Sequence, residues 1–203
     1  MDGFTRYKGA AQEALPQATV VMDPFHVVQL AGQALDDTRC RVQQETLGHR
    51  GRRGDPLYGA RHTLQTGATH LTERQRARLT ELFETLDHAP VEATWAIRQD
   101  LIDAYREPDK AKGKALMEAA IKRASQGVPT ALKEVAKLGR TLKRRATDIL
   151  AYFDHPGATN GPVEATNGRI EYLRGIALGF RNLTNYIARS ILHAGGFRQA
   201  LHP

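Results

Sequence analysis

A single cysteine, Cys40, stands in the 203 residues, so the chain can close no internal disulfide and build no multi-cysteine zinc site. No apolar run approaches the roughly 20 residues that span a bilayer. The opening MDGFTRYKGAAQEALP lacks the apolar core of a secretion signal. These absences predict a cytoplasmic chain with no membrane partner. Also missing are a glycine-rich phosphate loop, a Gly-x-Ser-x-Gly elbow, a His-Glu-x-x-His pair and a Cys/His nucleophile pair, which leaves nucleotide hydrolysis and acyl transfer without support. Acidic side chains are the scarcer charge: 22 Asp plus Glu against 29 Lys plus Arg give a formal +7 and a pI near 9.7. That excess favours polyanionic partners such as nucleic acid. Hydrophobic residues at 41% and charged ones at 25% are ordinary globular usage, which argues against a disordered chain. The length suits one domain, or one core with an insertion.

Strand signals are nearly absent too. Only Ala18-Thr19-Val20-Val21-Met22 reads as a strand, apolar enough to be buried on both faces and closed by Asp23-Pro24. Such a strand needs sheet partners that the rest of the chain does not clearly supply. Helices account for the remainder. Thr5 to Leu15 forms a short one. Asp23 is the N-cap and Pro24 the first position of a long helix through Phe25, Val28, Ala31, Leu35 and Val42. After the basic loop from His49 to Pro56, helices are predicted over 57–66, 72–86, 91–106, 109–125 and 129–153. Thr72-Glu73-Arg74-Gln75 is the capping box of the second. A breaker loop, Asp154 to Gly161, precedes a helix over 162–174 and a last one ending near Gly195-Gly196. No internal repeat is present.

Two groups of residues stand out chemically. On the helix from Pro129, Leu132, Val135, Leu142, Ala146, Ile149 and Phe153 form an apolar stripe, with Lys133, Lys137, Arg140 and Arg144 in a basic line roughly opposite. That line is either a solvated face or a set of phosphate contacts. Arg50, Arg52 and Arg53 add a second basic cluster. In Asn160-Gly161-Pro162-Val163-Glu164-Ala165-Thr166-Asn167-Gly168-Arg169, the acid lies in the first turn of a helix, where the dipole favours an ionised carboxylate. Val163, Thr166, Ile170 and Leu173 are expected to be buried. Gly168 is expected to allow a close approach by another backbone or a ligand. Glu164 is then either the far end of a capping box or part of a metal- or phosphate-facing site.

Three ordered segments carry a family resemblance. Met22-Asp23-Pro24-Phe25-His26-Val27-Val28 resembles the D-x-F-H segment of bacterial insertion-sequence transposases of the ISL-three type. Thr159 to Gly168 is similar to the segment bearing that family's last catalytic acid. Leu178 to Tyr186, followed by Gly195-Gly196-Phe197, resembles its C-terminal signature. The resemblance implies a predominantly α chain: an incomplete RNase H-like (α/β) DDE core with a large all-helical insertion. Residues 1–30 correspond to a core remnant, 31–155 to the insertion, and 156–203 to C-terminal core helices. It implies Asp2 and Glu164 as catalytic acids and ligands of Mg²⁺ (or Mn²⁺), since hard cations take carboxylate oxygens. It also implies DNA at insertion-sequence ends as partner, and the basic line of Lys133, Lys137, Arg140 and Arg144, with Asn167 and Arg169, is expected to contact it. Asp23, His26 and Glu171 are secondary site candidates.

The family's first acid has no counterpart in these residues, so the resemblance leads us to expect a fragment that is inactive alone and holds its cations weakly. Homo-oligomers or association with intact transposase protomers are further expectations. The alternative reading is a non-catalytic DNA-binding or transposase-subunit-binding regulator.

Overall fold

The computed structural model describes residue 13 and residues 16–155, 157–158 and 161–194, apart from the side chains of residues 162–164. The expected helix over Thr5–Leu15 lies essentially outside these residues. The chain divides into two compact units, residues 1–158 and 159–203. The described residues are predominantly helical and contain no strand.

The first unit is organised by α1, Pro24–Leu47. Its start follows from the local sequence. Asp23 Oδ1 accepts the Phe25 amide at 2.8 Å, and Pro24 occupies the first turn, where its missing N–H costs nothing. Gly48, at φ 74°, closes the other end. The helix serves two cores in succession. Val27, Ala31 and Ala34 join Leu101, Met117, Leu142, Ile149 and Phe153 in one cluster. Leu35 and Val42 join Leu57, Leu64, Leu79 and Val91 in the other. Val27 faces the core in place of the expected Phe25, which is 66% exposed, and Val28, which is half-buried.

Around α1 run α2 (Pro56–Gly59), α3 (Arg61–Gln65), α4 (Glu73–Phe83), α5 (Ala89–Arg106), α6 (Lys110–Ser125), α7 (Lys133–Arg144) and α8 (Ala146–Asp154). The capping box of α4 is present as the sequence predicts, with Thr72 Oγ1 accepting from the Gln75 amide and Gln75 Oε1 accepting from the Thr72 amide. Asp109 caps α6 through the Ala111 and Lys112 amides. Two predicted helices are each divided. The first breaks at buried Ala60 (φ −89°, ψ −3°), a turn that lets both Leu57 and Leu64 reach the second core. The second breaks at Arg145 (φ −105°, ψ 11°), where Arg145 Nε lies 3.2 Å from Asp148 Oδ2 inside the fold.

The expected strand does not form. Residues 18–22 belong to neither a strand nor a helix. Met22 instead donates its amide to the Asp148 carbonyl at 2.9 Å and fills the helical core at 1% exposure. The two-sided burial expected of the run is not found: Met22 alone is buried, by helices, while Val20 and Val21 are half-buried and Ala18 and Thr19 exposed.

The second unit contains α9 (Gly161–Ile176) and α10 (Leu183–Ala194). Asn182 Oδ1 accepts from the Thr184 and Asn185 amides and so caps α10. Phe180 and Tyr186 pack at 5.1 Å between ring centres. Thr166, Ile170 and Leu173 are half-buried, short of the full burial expected, and Tyr172, Ile176, Leu183, Ile187 and Ile191 are largely exposed.

Candidate nucleic-acid interface and catalytic segment

The basic line on α7 faces solvent because the opposite side of that helix is committed to the core. Val135, Leu138 and Leu142 are buried, and Gly139 sits against the backbone of α6. At the spacing of a helix this leaves Lys133, Lys137, Arg140 and Arg144 outward and exposed. A groove of about 710 Å³ runs between α7 and the second half of α1, and Lys133, Lys137 and Arg140 line it together with Arg50. Arg50 of the second basic cluster thus shares a groove with three members of the basic line. Among the described residues, Lys137, Arg140 and Arg50 form no ion pair.

The groove's floor is neutralised. Arg41 Nε donates to Glu134 Oε1 at 2.8 Å, Nη2 to Glu134 Oε2 at 3.0 Å, and Nη1 to Glu45 Oε2 at 2.9 Å. Its Nη2 also reaches the Ala131 carbonyl at 2.9 Å, tying α1 to the start of α7. Burial is the largest single influence and pushes the Glu134 carboxyl up, but the Arg41 hydrogen bond, a backbone hydrogen bond and the charges of Arg41 and Lys133 together hold the group below the usual carboxylate range. The Arg41 guanidinium is correspondingly raised, chiefly by its hydrogen bond to Glu134.

Arg50 belongs to a loop that is anchored from beneath. Asp55 Oδ2 accepts from the Arg52 amide at 2.6 Å and from Gln43 Nε2 at 3.2 Å, and fully buried Gln43 in turn accepts from Arg39 Nη1. Arg39 closes the chain onto Asp36 with Nε at 2.9 Å and Nη2 at 2.7 Å. Sequence reasoning missed this network. The i, i+3 and i, i+4 spacing of Asp36, Arg39 and Gln43 on one helix was its only available signal.

The remaining candidates fall elsewhere. Asp23 is 8% exposed and engaged as the cap of α1, with His26 Nδ1 3.9 Å from its Oδ1. Glu164, Asn167, Arg169 and Glu171 all lie on α9. Asn167 and Arg169 are exposed, and Glu171 is ion-paired to Arg174 at 3.2 Å. Asp2 and the Glu164 side chain lie outside the described residues. Apart from the neighbouring backbone of its own helix, nothing among the described residues lies within 4 Å of where a Gly168 Cβ would be, so the expected close approach by another backbone is absent among them. Those residues bring together no cluster of three or more His, Cys, Asp or Glu side chains able to hold a metal. No helix among them is long and apolar enough to cross a membrane.

Comparison with known proteins decides the family. A model of DDE transposases of the ISL3 type, described as "Transposase", matches residues 1–190. The chain belongs to the ISL3 family of DDE transposases. Among curated relatives, the transposases for insertion sequence element IS1557 of two Mycobacterium tuberculosis strains, CDC 1551 / Oshkosh and H37Rv, are each 31% identical over 209 residues. Each match covers 93% of this chain and 46% of the relative. The transposase for insertion sequence element IS1001 of Bordetella parapertussis is 28% identical over 183 residues, covering 90% of this chain and 43% of the relative. The ISL3-family chain therefore spans a little under half the length of the curated relatives it matches. No solved structure gives a significant match.

Proposed function

We propose that this ISL3-family chain is the C-terminal part of a transposase catalytic domain, and that its inherited chemistry is cleavage and rejoining of DNA phosphodiesters at insertion-sequence ends. The observation that carries the reading is the family match over residues 1–190, which runs through both Asp2 and Glu164. In this reading residues 1–30 are a remnant of an RNase H-like core, residues 31–155 the helical insertion, and residues 156–203 the core's C-terminal helices. The helical body begins slightly earlier than that boundary, since α1 starts at Pro24. The exposed apolar side chains of α9 and α10 support the assignment of those helices to a larger core.

Asp2 and Glu164 would hold Mg²⁺ or Mn²⁺, whose hard character matches a carboxylate donor set. When bound, such ions supply activation of the attacking hydroxyl and stabilisation of charge at phosphorus. The chain's own residues contribute positioning. Glu164 sits in the first turn of α9, at the helix end whose dipole favours the ionised acid. Asn167 and Arg169, exposed on the same helix, would contact the DNA backbone. Lys133, Lys137, Arg140 and Arg144 would contact phosphates flanking the reacting strand.

Iron-directed cleavage tests the site. Fe²⁺ in place of Mg²⁺, with ascorbate and peroxide, should cut the backbone near residues 2 and 164, and Glu164→Gln should remove both cuts. Cuts elsewhere, or cuts that persist in the variant, would refute the assignment.

A further inference from the structure

A second cavity, of about 510 Å³, lies where α1, α3 and α5 meet, away from the α7 groove. Arg98 of α5 lines it and is only 7% exposed. A guanidinium taken out of water needs a counter-charge, and removing that counter-charge from a buried pair is strongly destabilising. Arg98 has none among the described residues. Its Nη2 donates to the Gln65 carbonyl at 2.5 Å, whereas Nε and Nη1 have no hydrogen-bond partner there. Nearby Arg106 adds further positive charge.

The surroundings are arranged for an anion. Arg61 lines the same cavity, with Nη1 on the Tyr58 carbonyl at 2.9 Å and its guanidinium carbon 4.2 Å above the Tyr58 ring. It has no carboxylate among the described residues. The one acid in the lining, Asp36, is already bound by Arg39. Gly32 lines the cavity too, and the absence of a side chain there lets Gln65 pack close: a Cβ would lie 2.8 Å from Gln65 Oε1 and 3.7 Å from Arg98 Nε. At the rim Phe25 is 66% exposed and offers an aromatic face.

We infer that this cavity is an oxyanion site that takes one phosphate group through Arg98 and Arg61. Guanidinium forks match phosphate oxygens in geometry as well as charge. The phosphate has two possible sources: a phosphodiester of a DNA strand, whose sugar or base would lie on Phe25, or free phosphate. Only the first rests on the DNA role proposed above, and Glu164 and the α7 lysines take no part in either.

Thermal unfolding of the whole chain in sodium phosphate, against sodium chloride of matched ionic strength, tests the site. We expect a melting temperature that rises and saturates with phosphate. Arg98→Met should melt higher than the native chain in chloride, because an uncompensated buried charge is gone, and should lose the saturating rise. Arg61→Gln, which leaves the core untouched, should shift the phosphate midpoint at least several-fold and decides the matter if Arg98→Met fails to fold. In a parallel titration with duplex and single-stranded DNA, loss of about one unit of salt slope in either variant assigns the source to the strand. Unchanged DNA binding together with loss of the phosphate effect assigns it to free phosphate. Variants that alter neither response overturn the site.

Discussion

Arg41 is the residue on which the α1–α7 contact most depends. Its side chain and that of Glu134 are 14% and 12% exposed, so their charge-assisted hydrogen bonds work largely out of water. Arg41→Met should cost about 2 kcal/mol, the range for hydrogen bonds to charged groups, as read by urea unfolding. The pH dependence follows from the direction of the Glu134 shift. A carboxyl held below its ordinary 4.5 in the fold contributes stability that is fully present above that value and is lost as pH falls through the folded pKa. The stability difference between the native chain and Glu134→Gln should therefore be constant near neutrality and shrink on acidification below about pH 4.5. A difference that stays constant down to about pH 3 would show that the pair contributes nothing through its charge. The basic line was legible at this scale because single-signed charge at helical spacing survives any error in helix ends. Arg98 was not legible. An arginine between Ile97 and Gln99 looks like a solvated residue until the packing of α3 over α5 shows that it is buried.

At the scale of elements, two glycines separate what the sequence could show from what it could not. Gly168 drew attention as a helix-interior glycine, yet nothing crowds it. Gly139 gave no local signal, and a Cβ there would fall 1.8 Å from the Ala124 carbonyl oxygen of α6. Gly139→Ala should thus force α6 and α7 apart and cost about 3 kcal/mol, the upper range for overpacking. Gly168→Ala should stabilise α9 by up to about 1 kcal/mol, the helix propensity difference. Thermal or chemical denaturation of the two variants checks both, and the opposite order would contradict this packing. Caps and helix starts at Asp23, Thr72 and Asp109 were readable because they are fixed by three or four adjacent residues. The breaks at Ala60 and Arg145, and the failure of a strand to form before Asp23, were not. Each is decided by tertiary partners, and the last by a helical core that buries Met22 without a sheet.

For the whole molecule, the family was legible in three ordered segments while the extent of the catalytic core was not. The described residues hold a helical body with two cores and a separate pair of helices with much apolar surface exposed. The acids Asp2 and Glu164 stand near opposite ends of the chain. The helical body presents a groove edged by Lys133, Lys137, Arg140 and Arg50, which we assign to DNA. Each phosphate contact contributes about 0.9 to the slope of log affinity against log salt on a duplex. The most direct measurement is the binding of the chain to duplex insertion-sequence ends, followed by fluorescence anisotropy across a salt series, for the native protein and Lys137→Glu/Arg140→Glu. We expect weaker binding and a slope reduced by about 1.8 in the double variant, with Glu164→Gln binding as the native chain does. An unchanged slope in the double variant would show that the α7 face is merely solvated and would contradict the account.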